Sequence, residues 1–326
     1  MDRLFIYSFF CFYCHGQFSI HESTSNIFKV VDLMFNKDVH IKLKDTQNFL
    51  HNKKLISDLI DESNICKDDI VIEIGGGRGV ITEQLIEICK EVYVIEYDFS
   101  LYKNLKDKFY NINNIKIIYG DFLEFELPKE YKYKIFSSIP YNITAAILSK
   151  LTFADNPPED IYIILQKEAA EKYAGKPYGG ESMRSLLLKP HFDFEIIRNL
   201  KRTDFTPVPS VDSVFLHIEK RENTLIRKDK EDLYSDFIAY IFSNTGNDIK
   251  SRCKYIFSYK QIKRLSNDIG FKMTDSPTYL SYEQWLKVFQ YFLIGVSDER
   301  KRLVNDMYSK LMKEQNKIDK LHRSRK

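Results

Sequence analysis

Cysteine, tryptophan, proline and glycine are all scarce in this chain: five, one, nine and twelve among 326 residues. Cys11, Cys14, Cys66, Cys89 and Cys253 are too few and too scattered for a disulfide scaffold, so a reducing cytoplasm is the simplest setting. The run Cys11-Phe12-Tyr13-Cys14-His15 matches a haem-attachment spacing, but it lies in an aromatic leader and that chemistry needs an exported chain. No apolar run reaches the roughly 20 residues that span a bilayer, which argues against a membrane role. Neither charge sign dominates: 49 basic residues against 46 acidic give a net charge of +3. Bulk charge therefore points to no polyanion, and the placement of charge has to be read instead. His191 and His217 stand alone without ligand spacing, so no metal is expected. No internal repeat is present.

What is present is a hydrophobic fraction of 44%, enough for a sizeable core. Residues 1–33 read differently from the rest. Leu4–Tyr13 is apolar and aromatic, with only Arg3 before it and no small-residue cleavage site close behind. This stretch is expected to lie outside the working protein, with Met34 as the true start, because every motif comes later.

From Asp68 onward, short apolar runs alternate with helical spacing. Strands are predicted at Asp69–Ile74, Val92–Glu96, Ile115–Tyr119, Lys134–Ser137 and Ile161–Leu165, with Phe192–Ile197 and Val214–Ile218 as a final antiparallel pair. Helices are predicted at Thr82–Cys89, Leu101–Phe109 and Ile143–Leu151. That alternation predicts an α/β fold with a mainly parallel sheet covered on both faces. After Arg221 the β signal stops. Leu233–Phe242, Tyr259–Asn267 and Tyr282–Leu293 read as amphipathic helices of a small all-helical domain, with Trp285 as core packing. The expected boundaries are 34–221 for the sheet domain, 222–297 for the helical domain and 298–326 for a charged tail. The tail reads as a solvated helix with a frayed end; the competing reading is an extra RNA-contacting arm.

Three predicted strand ends carry chemistry in register. The first runs into Glu73-Ile-Gly-Gly-Gly-Arg-Gly79 before a helix. Glycines there let the backbone turn tightly and approach a ligand. Val80 stands where a dinucleotide fingerprint needs its third glycine, so NAD fits poorly. The second strand ends in Glu96, a carboxylate able to accept from two ribose hydroxyls. The third ends in Gly120-Asp121-Phe122, where Asp121 can accept from an adenine amino group beside the Phe122 ring.

The glycine spacing resembles the first motif of class I methyltransferases. The fourth strand leads into Phe136-Ser-Ser-Ile-Pro-Tyr-Asn142, which resembles the Asn-Ile-Pro-Tyr motif of amino-methyltransferases. An adenine amino nitrogen is a poor nucleophile, because its lone pair is spread into the ring. Two acceptors, the first side chain of the motif and the Ile139 carbonyl, can hold its protons and turn the lone pair toward a methyl donor. Pro140 stiffens the turn, and Tyr141 offers a face to a flipped-out base. Orientation and electrostatics then carry the reaction without a strong base.

Gln47-Asn48-Phe49-Leu50 and Phe205-Thr-Pro-Val-Pro-Ser-Val-Asp-Ser213 extend the likeness to the rRNA adenine dimethyltransferases, over about Lys42 to Leu293. Within that family the chain is most similar to the erythromycin-resistance (Erm) group. Tyr282-Glu-Gln-Trp-Leu-Lys-Val-Phe289 looks like that group, and the Arg-Arg-Lys-Thr-Leu-Arg segment of the housekeeping branch is missing. The resemblance implies a class I methyltransferase sheet of Rossmann type. It also implies S-adenosylmethionine as cofactor, and 23S rRNA as partner, naked or in an assembling large subunit, with the helical domain 222–297 contacting the RNA. The implied product is an N6-methylated adenine, the implied consequence macrolide-lincosamide-streptogramin B resistance, and the implied setting a cytoplasmic monomer. Asn48, Leu50, Gly75, Glu96, Asp121 and Ser138 fall on the cofactor positions of the family. Ser138, Ile139, Pro140 and Tyr141 fall on the catalytic segment, and Tyr141 and Phe205 on the base-stacking positions. Two readings stay open beside this one: a small-subunit rRNA dimethyltransferase, and an RNA-binding protein with weakened catalysis. The second arises because position 138 holds serine where the family has asparagine. A shorter, weaker acceptor there implies a rate loss of roughly 10- to 1000-fold.

Overall fold

The computed structural model describes residues 48–314. The apolar leader, the Cys11–His15 run, Met34, Gln47 and residues 315–326 lie outside the described residues. The described chain divides into two compact units, residues 48–170 with 193–220, and residues 171–192 with 221–314.

The first unit is a seven-stranded sheet flanked by helices, together with a two-stranded ribbon. Its strands are β1 (Phe49–Leu50), β2 (Ile70–Ile74), β3 (Glu91–Glu96), β4 (Ile115–Tyr119), β5 (Lys134–Ser138), β6 (Asp160–Gln166), β7 (Phe192–Leu200), β8 (Phe205–Thr206) and β9 (Ser213–Lys220). The large sheet has the order β4-β3-β2-β5-β6-β9-β7, and β1 pairs with β8. From β4 to β6 all neighbours are parallel, and β9 runs antiparallel to β6. This is the α/β fold with a mainly parallel sheet that the strand and helix pattern predicts, and the class I methyltransferase architecture that the resemblance implies. Strands buried on both faces need near-continuous apolar sequence. Ile-Val-Ile-Glu-Ile in β2 and Ile-Tyr-Ile-Ile-Leu within β6 supply it, and Glu73 is the single charged intruder.

Helix α1 (Lys53–Asp61) precedes the first long strand. Its Asn52 cap accepts from the Leu55 N–H at 3.1 Å, and Leu55, Ile56, Leu59 and Ile60 form its buried stripe. Helices α2 (Val80–Ile88), α3 (Phe99–Lys108) and α4 (Thr144–Thr152) follow β2, β3 and β5.

The second unit is helical. Its longer helices are Glu231–Ser243, Tyr259–Ile269 and Tyr282–Gly295, the last two opened by capping boxes at Ser258–Gln261 and Ser281–Gln284. Trp285 is fully buried and donates its indole N–H to the Pro277 carbonyl at 3.1 Å. Phe237 packs on Phe292 with ring centres 4.9 Å apart.

Two expected boundaries shift. Residues 171–192 fall with the helical unit rather than with the sheet: Leu186 is buried in the helical core, the Tyr234 hydroxyl donates to its carbonyl at 2.9 Å, and the Glu181 N–H donates to Thr278 at 2.8 Å. The first half of the charged tail is not a solvated helix. Val304 and Met312 are buried, and the N–H groups of Asp306 and Tyr308 donate to Asp236 at 2.8 and 2.9 Å.

Candidate active site

In a parallel sheet all C-terminal strand ends lie on one edge. A crevice opens where the chain order reverses, because the connections on either side leave in opposite directions. Here β2 is followed outward by β3 and β4, and the chain then returns to β5 on the other side of β2. The loops after β2 and β5 therefore face one crevice. Its lining includes Asn48, Phe49, Leu50, Glu73, Gly75, Gly76, Gly77, Arg78, Glu96, Ser138, Ile139, Pro140 and Tyr141. Eight of the residues singled out in the sequence, Asn48, Leu50, Gly75, Glu96 and Ser138–Tyr141, thus meet in one place.

The loop after β2 tolerates little but glycine. Gly77 has φ +54°, and a Cβ there would lie 3.1 Å from two atoms of the Phe49 ring. A Cβ on Gly76 would come within 2.4 Å of Val94. The Arg78 guanidinium sits 5.1 Å from the centre of that same Phe49 ring, so Phe49 roofs the loop.

Two carboxyls stand under this loop. Glu96, at the end of β3, is 2% exposed; one oxygen accepts from the Gly77 N–H at 2.9 Å and the other from Asp98 N–H at 2.8 Å. Burial raises its pKa above the usual carboxylate value, and the backbone donors oppose that shift. Each oxygen keeps lone-pair capacity for a further donor. Glu73 is buried deeper and accepts from the Thr82 hydroxyl at 2.6 Å. Burial pushes its carboxyl up to about 8.

The segment after β5 forms the opposite wall. Ser137 is fully buried and donates to the Ile74 carbonyl at 2.5 Å, tying β5 to the end of β2. Ser138 is half-buried, and its hydroxyl has no hydrogen bond to the described residues. The Ile139 N–H donates to Ile164 at 3.2 Å, and the Pro140 carbonyl accepts from the Ile143 N–H and the Thr144 hydroxyl, both at 3.3 Å. The Tyr141 hydroxyl lies 2.6 Å from that of Ser213, which is 2% exposed at the start of β9.

Asp121 and Phe205 stand apart from this lining. Asp121 follows Gly120, whose N–H donates to the Glu96 carbonyl at 3.0 Å, so it is one strand further along the same edge. Its carboxylate accepts from the Leu123 N–H at 2.8 Å. Phe205 is a correction to the expected base-stacking pair. In β8 it sits opposite Leu50 of β1, and with 2% exposure it belongs to the hydrophobic core of the first unit. Such a ring has no free face for a base.

Phe49, Glu73 and Ser213 are site residues that motif reading passed over. All three lie inside stretches quoted above, and the signal for Phe49 and Ser213 was their adjacency to Asn48 and to the proline loop. Nothing local marks Glu73 as buried. A nucleoside fits this arrangement, since glycine backbone, buried carboxyl acceptors and a rigid polar edge converge. Among the described residues, no cluster of three or more His, Cys, Asp or Glu side chains could hold a metal ion, and no helix is long and apolar enough to cross a membrane.

Comparison with known proteins follows the same lines. The sequence model of the ribosomal RNA adenine dimethylase family matches residues 39–293. The chain is 30% identical over 249 residues to ribosomal RNA small subunit methyltransferase A of Sulfurihydrogenibium sp. (strain YO3AOP1), covering 74% of this chain and 93% of that one. It is 31% identical over 250 residues to an rRNA adenine N-6-methyltransferase of Bacteroides fragilis, covering 74% and 90%. Among solved structures, 23S rRNA methyltransferase ErmE superposes with a TM-score of 0.70 at 28% identity, over 75% of this chain and 99% of that one. A dimethyladenosine transferase from Plasmodium falciparum, at 21% identity and a TM-score of 0.60, shares the fold.

Proposed function

This chain belongs to the ribosomal RNA adenine dimethylase family, and from that premise we propose that it methylates the N6 amino group of an adenine in 23S rRNA, giving macrolide-lincosamide-streptogramin B resistance to its host. The observation that carries the reading is the convergence of Gly75–Gly77, Glu96 and Ser138–Tyr141 on one crevice. S-adenosylmethionine, when bound, supplies an electrophilic methyl group. Glu96 accepts from ribose hydroxyls, Asn48, Leu50 and Gly75 wall the cofactor, and Asp121 accepts from its adenine amino group.

For the reaction itself, the Ser138 hydroxyl oxygen and the Ile139 carbonyl each accept one N–H of the target amino group. The Pro140 carbonyl already serves the next turn, so the neighbouring Ile139 carbonyl is the acceptor left to the substrate. Holding both protons in the plane of the base turns the nitrogen lone pair toward the incoming methyl. Tyr141 stacks on the extruded base. The proton leaves to solvent after transfer, and no side chain has to act as a strong base.

The 23S assignment rests on the likeness to 23S rRNA methyltransferase ErmE and on the Tyr282–Phe289 segment. The relative named for the small subunit, at 30% identity, supports small-subunit rRNA as the second reading. Expression in a susceptible bacterium decides between them. Primer extension on both rRNAs is expected to stop in the large-subunit RNA, with raised erythromycin tolerance. A stop confined to small-subunit RNA and unchanged tolerance sinks the first reading and supports the second.

A further inference from the structure

The loop Gly75–Gly79 is pressed from two sides. Phe49 roofs it at Gly77, and a Cβ on Gly79 would come within 2.9 Å of Leu105 and Phe109, at the end of α3. The roof belongs to the segment that leads into α1, and the floor belongs to α3. A loop held this way keeps its shape only if roof and floor keep their spacing.

One side chain reaches both. Glu83, in the first turn of α2, places Oε2 2.7 Å from Lys53 Nζ and Oε1 2.7 Å from Lys108 Nζ. Lys53 opens α1, shortly after Asn48–Leu50, and Lys108 closes α3. The Lys108 ammonium also donates to the Arg78 carbonyl at 2.9 Å, inside the glycine loop. A carboxylate in the first turn of a helix is favoured by the helix dipole alone. The dipole does not explain why its two oxygens are shared between a lysine from the roof and a lysine from the floor. All three side chains stand outside the crevice lining, so they can act on a bound nucleoside only through the backbone they hold.

We propose that Lys53, Glu83 and Lys108 form an ion-pair latch that sets the width of the cofactor crevice, with Glu83 as a positioning residue for the methyl donor. The Lys53 arm holds Phe49 down over Gly77, and the Lys108 arm fixes the Arg78 carbonyl against α3. Together they preorganise the glycine backbone, so the donor does not have to order it on binding. With the latch broken, the roof lifts and the donor is held less tightly. The Ser138–Tyr141 segment lies on the opposite wall and keeps its geometry. The Glu83, Lys108 and Lys53 side chains are 25%, 37% and 65% exposed, so salt screens the latch. The proposal rests on the cofactor reading and adds to it residues that act on the donor without touching it.

The test is calorimetry of S-adenosylmethionine binding to the full chain between about 50 mM and 1 M salt. Lys53→Gln and Glu83→Gln are each expected to weaken binding about two- to fivefold at low salt, the range for a partly exposed ion pair. The double variant is expected to lose no more than Glu83→Gln alone, because both break the same link. The gap between parent and variants is expected to close at high salt. In methyl transfer the loss is expected in KM for the donor, with a smaller change in kcat. Glu91→Gln is the control: it breaks a pair of similar exposure with Lys116, 2.6 Å away on the outer strands, and is expected to bind like the parent. Equal affinities in parent, Lys53→Gln and Glu83→Gln overturn the proposal. So does a gap that salt leaves unchanged, or an equal loss in Glu91→Gln, which would mark a general loss of stability. Deuterium exchange of residues 48–56 is read in parallel without ligand, and is expected to be about twofold faster or more in Glu83→Gln. A parent that binds no S-adenosylmethionine refutes the cofactor reading, and this exchange alone then decides the latch: equal rates overturn it.

Discussion

The hydroxyl oxygens of Tyr141 and Ser213 lie 2.6 Å apart, joining the segment after β5 to the first residue of β9. A tyrosine ring has a free rotation that would blur a stacking platform, and this bond fixes its outer end. Ser213→Ala is therefore expected to lower kcat about 3- to 10-fold, the size of one neutral hydrogen bond of about 1 kcal/mol, with KM for the methyl donor unchanged. Ser213→Thr retains the hydroxyl and is expected to recover most of the rate. Fluorescence of 2-aminopurine at the target position reports the stacking directly, and an unaltered signal in Ser213→Ala would refute the positioning role.

Ser138 offers a shorter, weaker acceptor than an amide and bonds to no described neighbour. Ser138→Asn is expected to raise kcat by about tenfold or more, and Ser138→Ala to lower it by a similar factor, since one oriented acceptor is worth about 10- to 1000-fold. Single-turnover methyl transfer to rRNA measures both. Equal rates in all three proteins would remove residue 138 from the chemistry.

Gly77→Ala combines a positive φ with a methyl group 3.1 Å from the Phe49 ring. The left-handed backbone alone costs a side chain about 1 kcal/mol. Gly270→Ala has the same strain at φ +80° with open space around it, and so serves as the control. Calorimetry is expected to show S-adenosylmethionine binding weakened about tenfold or more in the first variant and unaltered in the second. Equal affinities would mean that Phe49 yields without cost.

Glu73 sets a pH dependence of stability. Its folded pKa of about 8 lies above the usual carboxylate value because burial disfavours the charged form. Between those two values the folded state holds a proton that the unfolded state has released, so stability falls as pH rises through this window and levels off above about 8. Glu96 and Asp236, also raised by burial, act in the same sense. Glu73→Gln keeps an acceptor for Thr82 and removes the titration. Its Tm is expected to exceed that of the parent by a margin that grows from pH 5 to pH 8. A constant margin would show that Glu73 ionises normally.

Much of this was legible in sequence because it is written in local periodicity. Each long parallel strand was visible as an apolar run, and Gly75, Glu96 and Ser138 could be placed together since each ends a strand on one edge of the sheet. What escaped depends on partners distant in the chain. Phe205 reads like an exposed loop aromatic until β8 pairs with β1 and turns the ring inward against Leu50. Residues 171–192 lie between two strands in the sequence, so only contacts with distant partners, the burial of Leu186 and the bonds to Tyr234 and Thr278, assign them to the helices. Val304 and Met312 are isolated apolar residues in a charged stretch, and no local pattern says that they will be covered.

The only tryptophan of the chain, Trp285, is wholly buried in the helical unit. The molecule therefore carries an optical label on one of its halves. Its emission reports the melting of the helices and is blind to the sheet that holds the crevice, whose unfolding has to be followed through circular dichroism. A denaturation curve read at both signals tells directly whether the two halves come apart as one cooperative body or in sequence.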